Sequence, residues 1–187
     1  MNQSISFNIY VMSYKRSNTI LSERCFDYCT YCVRESEREL YENAGVKNIL
    51  AIPDTCVCDF MSTFYWIIEN TPEDVICIAD DDIKNFIYRL NDNSLIVDKN
   101  GNPDKSVVTE ECERIAQLLA DLNIGLAYDN PQRAPYAYDR ELAFKGMPGH
   151  IRWVNKSAFK AKYNADDPAS SDIDMAMQEL LMNRIIL

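Results

Sequence analysis

The sequence predicts an α/β fold with a mainly parallel sheet, flanked by helices and extended by a small antiparallel hairpin. Short apolar segments alternate with helical patterns along residues 5–79, and this alternation produces crossover units with parallel strands. Residues 75–79 are apolar without interruption, as expected for a strand that is buried on both faces. The 187 residues are 47% hydrophobic and 26% charged, so we expect 1–187 to form a single globular domain.

The first strand is predicted at residues 5–11, where apolar and polar residues alternate before the polar, turn-like segment 13–18. The second strand is predicted at 28–33. A helix should follow it, with Ser36 as its N-cap and Gly45 at its end.

The next elements lead to an acidic segment. A third strand is expected at 48–52, where Pro53 stops it, and apolar and aromatic residues at helical spacing predict a helix over 60–70. The buried strand at 75–79 then ends in three aspartates, Asp80-Asp81-Asp82, which we call the acidic triplet.

The pattern changes after the acidic triplet. Segments 84–90 and 94–97 flank the turn sequence 91–93 and predict the hairpin. A loop is expected at 98–106, followed by a helix from Thr109 to about Leu122.

The last third of the chain alternates again. Strands are predicted at 124–128 and 149–155, separated by a loop at 130–138 that contains proline and tyrosine. A short turn or helix to Tyr163 and an amphipathic helix from Asp172 complete the expected order of elements.

The charge of the chain argues against an extended contact with nucleic acid or membranes. There are 19 Lys and Arg residues against 29 Asp and Glu, a net charge of −10, which repels polyanions. No apolar run approaches the roughly 20 residues that span a bilayer, and the first residues lack the pattern of a signal peptide. A cytoplasmic protein without membrane contact is therefore expected.

One local basic segment departs from this acidic average. Between Arg133 and Lys162 there are seven basic residues and two acidic ones. Such a segment can attract the phosphates of a nucleic acid, or it can be a solvated face. The basic residues are Arg133, Arg140, Lys145, Arg152, Lys156, Lys160 and Lys162.

The acidic triplet predicts a divalent metal site. Like charges at the end of a buried strand raise one another's pKa and cost free energy, and a divalent cation removes that cost. A solvated loop after the strand is the alternative.

Four segments around these strands resemble nucleotide-sugar glycosyltransferases of the GT-A fold. They are residues 11–16, 33–37 with Tyr41, 78–83 and 170–175. The resemblance is strongest to small phage-type members, including those associated with modified DNA bases. It implies a Rossmann-like sheet and a hexosyl or pentosyl donor carried on a nucleoside diphosphate. It also implies the cytoplasm of a host cell as the location if a phage encodes the chain.

The resemblance implies roles for residues after the first two strands. Ser13, Arg16 and Glu35 would lie near the base, ribose or diphosphate of the donor. Arg16 is suited to phosphate oxygens, and Glu35 can accept a hydrogen bond from a base or ribose.

The acidic triplet would correspond to the DxD motif of this fold. Asp80 and Asp82 would then hold Mn²⁺ or Mg²⁺ against the diphosphate, with Asp81 oriented to the donor sugar. Asp172, with Asp174 in reserve, matches the acidic motif that supplies the base in inverting members. The implied activity is metal-dependent sugar transfer to a hydroxyl acceptor. The basic segment makes DNA one candidate for that acceptor.

Two alternatives remain open at this point. Ser171 stands where many members have a glutamate before the catalytic aspartate, so a catalytically silent nucleotide-binding domain is the second hypothesis. His150 does not match the metal-binding histidine of some families, and a histidine beside a turn is typical of a surface or structural residue.

The third hypothesis depends on cysteine spacing. Cys25, Cys29 and Cys32 have the C-x-x-x-C-x-x-C spacing of radical S-adenosylmethionine enzymes, in which three thiolates hold a [4Fe–4S] cluster. The chain lacks a glycine-rich segment for that cofactor. Cys32 also lies within a predicted strand, where a packed core thiol is expected.

Overall fold

The strands and helices follow the predicted order in the computed structural model, which describes residues 5–88, 94–129, 148–166 and 171–187. Within these ranges the strands are β1 (Phe7–Met12), β2 (Thr30–Arg34), β3 (Ile49–Ile52), β4 (Val75–Asp80), β5 (Ile87–Tyr88), β6 (Ser94–Leu95), β7 (Leu126–Tyr128) and β8 (Ile151–Asn155). The helices are α1 (Arg38–Asn43), α2 (Phe60–Asn70), α3 (Lys105–Leu122) and α4 (Ser171–Asn183).

Within the described residues, six strands form one mixed sheet in the order β3-β2-β1-β4-β8-β7. Strand β1 pairs in parallel with β2 and β4, and β2 pairs in parallel with β3. Strand β8 runs antiparallel to both β4 and β7. The strands β5 and β6 form a separate antiparallel pair. The predicted fold class, a mainly parallel sheet with flanking helices and a small antiparallel hairpin, is confirmed.

The sheet separates two apolar clusters, because alternate side chains of each strand point to opposite faces. In β1, Ile9 and Val11 belong to one cluster, and Tyr10 and Met12 belong to the other. Helices α1 and α3 cover the first face, whereas α2 and α4 cover the second. All five apolar residues of β4 are buried, as the uninterrupted apolar run predicted.

Two helix starts differ from the sequence prediction. Ser36 does not cap α1: its hydroxyl donates to Asp54 Oδ1 at 2.7 Å, and a 3₁₀ turn over Glu35–Glu37 precedes the helix. Helix α3 begins at Lys105 rather than at Thr109, because Asp104 accepts a hydrogen bond from the Val107 amide and acts as the N-cap.

Several predictions fall outside the described residues. They concern the hairpin turn at 91–93, the loop at 130–138 and residues 133–147 of the basic segment. Among the residues that are described, no helix combines the length and apolar character needed to cross a membrane.

Candidate functional site

A cavity of about 470 Å³ lies at the carboxyl ends of β1, β2, β3 and β4. These ends meet at one edge of the sheet because the four strands are parallel, and this edge is where ligands bind in open α/β sheets. The lining includes Ser13 and Arg16 after β1, Arg34 at the end of β2, and the whole acidic triplet after β4. The remaining wall comes from the segment before α2 and the first turn of that helix.

Asp81 is the buried member of the acidic triplet, with 6% of its surface exposed. Its Oδ2 accepts a hydrogen bond from Ser13 Oγ at 2.6 Å, and its Oδ1 lies 2.7 Å from Arg16 Nη1. Ser13 Oγ also lies 2.6 Å from the hydroxyl of Tyr41 on α1. Asp81 therefore ties the loop after β1 to the end of β4, and both of its carboxylate oxygens contact protein groups.

Asp82 is the exposed member, with 58% of its side chain accessible. Its Oδ2 lies 3.3 Å from the same Nη1 atom of Arg16 that contacts Asp81. Asp81, and to a smaller extent Asp82, raises the pKa of the Arg16 guanidinium above its usual value. Arg16 is itself half exposed, so the ion pair with Asp82 is accessible to solvent.

Asp80 is contacted from the antiparallel strand β8. Its Oδ2 lies 3.1 Å from His150 Nδ1, and its Oδ1 lies 3.4 Å from Arg152 Nη1. Ser22 Oγ donates to the carbonyl of Asp80 at 2.7 Å and so restrains the end of β4. Arg152 is 5% exposed, and its guanidinium lies 5.2 Å from the ring of Phe60.

Sequence reasoning missed the contribution of this strand. Because β8 runs antiparallel to β4, its first residues lie beside the last residues of β4. The sequence did contain one signal, because Arg152 is a charged residue inside the mostly apolar segment 151–155. Nothing in the sequence pointed to His150, which instead matched a surface residue.

The donor set around the acidic triplet fits a metal that is completed by substrate. No group of three or more His, Cys, Asp or Glu side chains within the described ranges is arranged to hold a metal ion. Asp80 and Asp82 nevertheless line one cavity and supply hard carboxylate oxygens. One or two carboxylates, with substrate phosphates and water, are the usual ligands of Mg²⁺ in phosphate-binding sites. The residues therefore fit Mg²⁺ or Mn²⁺ bound together with a diphosphate.

Tyr14 and Arg34 also line the cavity. The Arg34 guanidinium lies 5.3 Å from the Tyr14 ring centre, and Lys15 Nζ lies 4.7 Å from it. Arg34 is held in place by the carbonyls of Asp54 and Val57, to which its Nη1 donates. Glu35, which the sequence placed near the nucleotide, is exposed and lies outside the lining.

Asp59 lies in the cavity wall at the start of α2. It caps α2 by accepting from the Ser62 amide at 2.6 Å, and its Oδ2 accepts from the Tyr163 hydroxyl at 2.6 Å. Burial raises the pKa of Asp59, but these hydrogen bonds outweigh that effect and leave it below its usual value. Asp59 is thus an ionised carboxylate with a structural role in the cavity wall.

The two candidate bases lie on α4, away from the cavity lining. Asp172 accepts from the adjacent Ile173 amide at 2.8 Å, and Asp174 accepts from Gln178 Nε2 at 2.8 Å. Burial, and then the charges of Asp174 and Glu179, raise the pKa of Tyr65. The contact of the Asp174 side chain is thus with its own helix, outside the cavity lining.

The cysteine hypothesis does not agree with the structure. Cys25 and Cys29 belong to the apolar cluster on one face of the sheet, whereas Cys32 belongs to the cluster on the opposite face. Burial raises the pKa of Cys25 to about 11 and that of Cys29 to about 12, so both are protonated thiols at neutral pH. Three thiols on opposite faces of a sheet cannot bind one cluster, and the radical S-adenosylmethionine hypothesis was wrong.

The described part of the basic segment is not one charged face. Arg152 is buried against Asp80, and Lys156 Nζ donates to Thr71 Oγ1 at 2.7 Å. Lys160 and Lys162 are exposed. Arg152 and Lys156 are therefore unavailable to a polyanion, contrary to their inclusion in the predicted nucleic-acid surface. The other basic residues, Arg133, Arg140 and Lys145, lie outside the described residues.

Comparison with solved structures shows the type of fold. The chain is similar to a mannosyltransferase from Pyrobaculum calidifontis, solved in complex with GDP-Man and Mn²⁺, with a TM-score of 0.59 and 12% identity over 99% of this chain. It is also similar to a mycobacterial protein of known crystal structure, with a TM-score of 0.53 and 11% identity over 96% of this chain. The chain spans 55% and 62% of the lengths of those two proteins.

Sequence comparisons add no closer relationship. No protein-family model matches the chain, and no curated protein matches it. The likeness is therefore one of fold. The mixed six-stranded sheet and its flanking helices give this chain the GT-A, Rossmann-like fold that the sequence predicted.

Proposed function

We propose that this chain is a glycosyltransferase that moves a sugar from a nucleoside-diphosphate sugar to a hydroxyl acceptor with the help of a divalent metal. One observation carries the proposal. The acidic triplet lines a cavity at the carboxyl edge of a GT-A sheet. Asp82 is exposed beside Arg16, whereas Asp80 is less exposed and lies beside Arg152. The mannosyltransferase of similar fold binds GDP-Man and Mn²⁺, which supports a nucleotide sugar and a metal as ligands.

Asp80 and Asp82 are the residues that we assign to the metal. When bound, Mn²⁺ or Mg²⁺ would neutralise the diphosphate and stabilise the charge that develops as the nucleoside diphosphate leaves. Asp81 acts from the protein side, because its bonds to Ser13 and Arg16 hold the loop after β1 against the acidic triplet. The predicted contact between Asp81 and the donor sugar would require one of these bonds to open.

The donor would lie along the cavity from the acidic triplet to Tyr14. Arg16 is half exposed beside the acidic triplet and can donate to phosphate oxygens. Tyr14 and Arg34 also line the cavity and offer a ring and a guanidinium to a base or ribose. Glu35 remains a predicted ligand of the nucleotide, at a position just outside this lining.

The acceptor side rests on fewer contacts. We keep Asp172 as the proposed base of an inverting transfer and Asp174 as its reserve, which requires the start of α4 to approach an acceptor above the cavity. A hydroxyl of a modified base in phage DNA remains one proposed acceptor, for which Lys160 and Lys162 are the exposed basic residues within the described part of the basic segment. A general base must come within hydrogen-bonding reach of the proton that it removes.

A second function, nucleotide binding without transfer, is favoured by one observation. Asp172 and Asp174 each accept a hydrogen bond from a neighbour on α4, and neither lines the cavity. A binding module would keep the cavity and the acidic triplet and would need no base.

Thermal stability with ligands tests donor binding. The melting temperature should rise when Mn²⁺ and GDP or UDP are added together, because a ligand that binds only the folded state stabilises it. Asp82→Asn should lose that rise. Asp121→Asn, an exposed position on α3 outside the lining, is the matched control for the change of charge. An unaltered response in Asp82→Asn would remove the acidic triplet from the site.

Release of nucleoside diphosphate from a panel of sugar donors separates the two functions. With DNA, sugars or water as acceptors, a transferase should turn over at least one donor, and Asp172→Asn should slow turnover by about 10²-fold or more. Donor binding should survive in that variant. A parent protein that binds donors and releases nothing from any of them is a binding module.

A further inference from the structure

Arg16 contacts two members of the acidic triplet through one atom. Its Nη1 lies 2.7 Å from Asp81 Oδ1 and 3.3 Å from Asp82 Oδ2. The two carboxylates differ in environment, since 8% of the Asp81 side chain and 58% of the Asp82 side chain are exposed. One guanidinium therefore joins a buried carboxylate to an exposed one.

The two contacts should differ in strength. Asp81 also accepts from Ser13, and its buried position limits screening by water and salt. The contact to Asp82 is longer and exposed, and exposed ion pairs contribute little because water and salt screen them. Arg16 can therefore exchange its contact with Asp82 for another anion while the bond to Asp81 persists.

The backbone around Arg16 is restrained, so such an exchange involves the side chain. The Arg16 amide donates to the Tyr41 hydroxyl at 3.1 Å, and the Lys15 amide donates to Glu37 Oε2 at 3.0 Å. Lys15 itself has a φ of 57°, a left-handed conformation that turns the chain at this point. The guanidinium is thus presented to the acidic triplet from a fixed loop.

We propose that Arg16 couples the two ligands of the site by competing with the divalent cation for Asp82. Without nucleotide, its guanidinium neutralises Asp82 and opposes the approach of a second cation. A nucleoside diphosphate supplies phosphate oxygens that attract the guanidinium, and Asp82 becomes available to the metal. Nucleotide and metal then bind cooperatively, and the coupling is reciprocal. This inference rests on the proposed function, because it requires both ligands to bind beside the acidic triplet.

Mn²⁺ binding with and without GDP tests the coupling. Free Mn²⁺ is measured by electron paramagnetic resonance in titrations of the parent, Arg16→Gln and Arg38→Gln. The control Arg38→Gln removes the same charge from an exposed pair with Glu42 on α1. Without GDP, Arg16→Gln should bind Mn²⁺ about threefold more tightly than the parent, the scale of an exposed ion pair. The control should match the parent.

GDP should tighten Mn²⁺ binding more in the parent than in Arg16→Gln, and the difference should shrink in high salt. Equal Mn²⁺ affinities of parent and Arg16→Gln without GDP, in a parent that does show tighter Mn²⁺ binding with GDP, would overturn the coupling and leave the proposed function intact. A parent that binds neither Mn²⁺ nor GDP, alone or together, would overturn both.

Discussion

Two regions of the sheet contact different members of the acidic triplet. The parallel half consists of β3, β2, β1 and β4, and the antiparallel edge consists of β8 and β7. From the parallel half, the loop after β1 brings the half-exposed Arg16 to Asp81 and Asp82. From the antiparallel edge, β8 brings the buried Arg152 to Asp80. Both regions supply an arginine to aspartates, but one arginine faces the cavity and the other is packed inside the protein.

This difference separates adjustable charge from structural charge. A buried cation is costly unless it stays paired, so Arg152 should keep its contact with Asp80 in every state of the site. Arg16 remains partly hydrated and can change partner at low cost. Three consecutive aspartates thus acquire three environments: Asp80 paired with a buried arginine, Asp81 buried and doubly bonded, and Asp82 exposed.

The largest difference between the two regions is expected in the free energy of unfolding when Arg152 and Arg16 are replaced in turn. Arg152→Met should lower the free energy of unfolding by about 3 kcal/mol, because it leaves Asp80 without its buried partner. Arg16→Met should cost less, about 1 kcal/mol, because the guanidinium is half exposed and Asp81 keeps its hydrogen bond from Ser13. Urea denaturation of both variants measures the two losses. Equal losses would mean that the arginines have the same structural role and would contradict the comparison.

Replacing neighbouring aspartates should give a smaller difference. Asp81→Asn should lower the free energy of unfolding by about 1–3 kcal/mol, since the hydrogen bonds from Ser13 and Arg16 to a buried carboxylate are weakened. Asp82→Asn should change it by less than about 0.5 kcal/mol, as is usual for an exposed position. Thermal unfolding without metal or nucleotide gives both values. A larger loss in Asp82→Asn would show that this residue is structural.

The dependence of stability on pH should give the smallest difference. Burial raises the pKa of Asp129, which follows β7 at the antiparallel edge. Stability should therefore fall as the pH rises from about 4, the pKa of an unfolded aspartate, towards the raised pKa of the folded protein. Asp129→Asn should remove that decline, because asparagine does not ionise.

The pH dependence that Asp59 contributes to stability should have the opposite sign. Asp59 lies in the wall of the cavity at the parallel half of the sheet. Its pKa is lowered in the folded protein, so its contribution is present above a pH of about 4 and is lost as the pH falls through the lowered value. Asp59→Asn should remove this acid-induced loss. Urea denaturation over a pH series compares both variants with the parent. If stability depends on pH in both variants as it does in the parent, the raised pKa of Asp129 and the lowered pKa of Asp59 would be contradicted.

The sequence predicted the parallel half better than the antiparallel edge for a physical reason. The segment of β4 is a continuous apolar run and that of β1 alternates clearly, and polar residues that follow parallel strands lie at one edge of the sheet. The resemblance to GT-A glycosyltransferases placed Ser13 and Arg16 near the acidic triplet, and the structure brings all of them to one cavity. Helix starts were less predictable, because they depend on hydrogen bonds that form only in the folded loops. Ser36 donates to Asp54 instead of capping α1, and Asp104 caps α3.

The sequence by itself determined the fold class, the order of the elements and the position of the acidic triplet, because hydrophobic periodicity and strand ends are local properties. Only the tertiary structure decided how each aspartate is used. The antiparallel pairing of β8 with β4 brings Arg152 and His150 to Asp80 from about 70 residues away, and β2 places Cys32 on the other face from Cys29. Such contacts depend on strand pairing and burial, which no local pattern specifies.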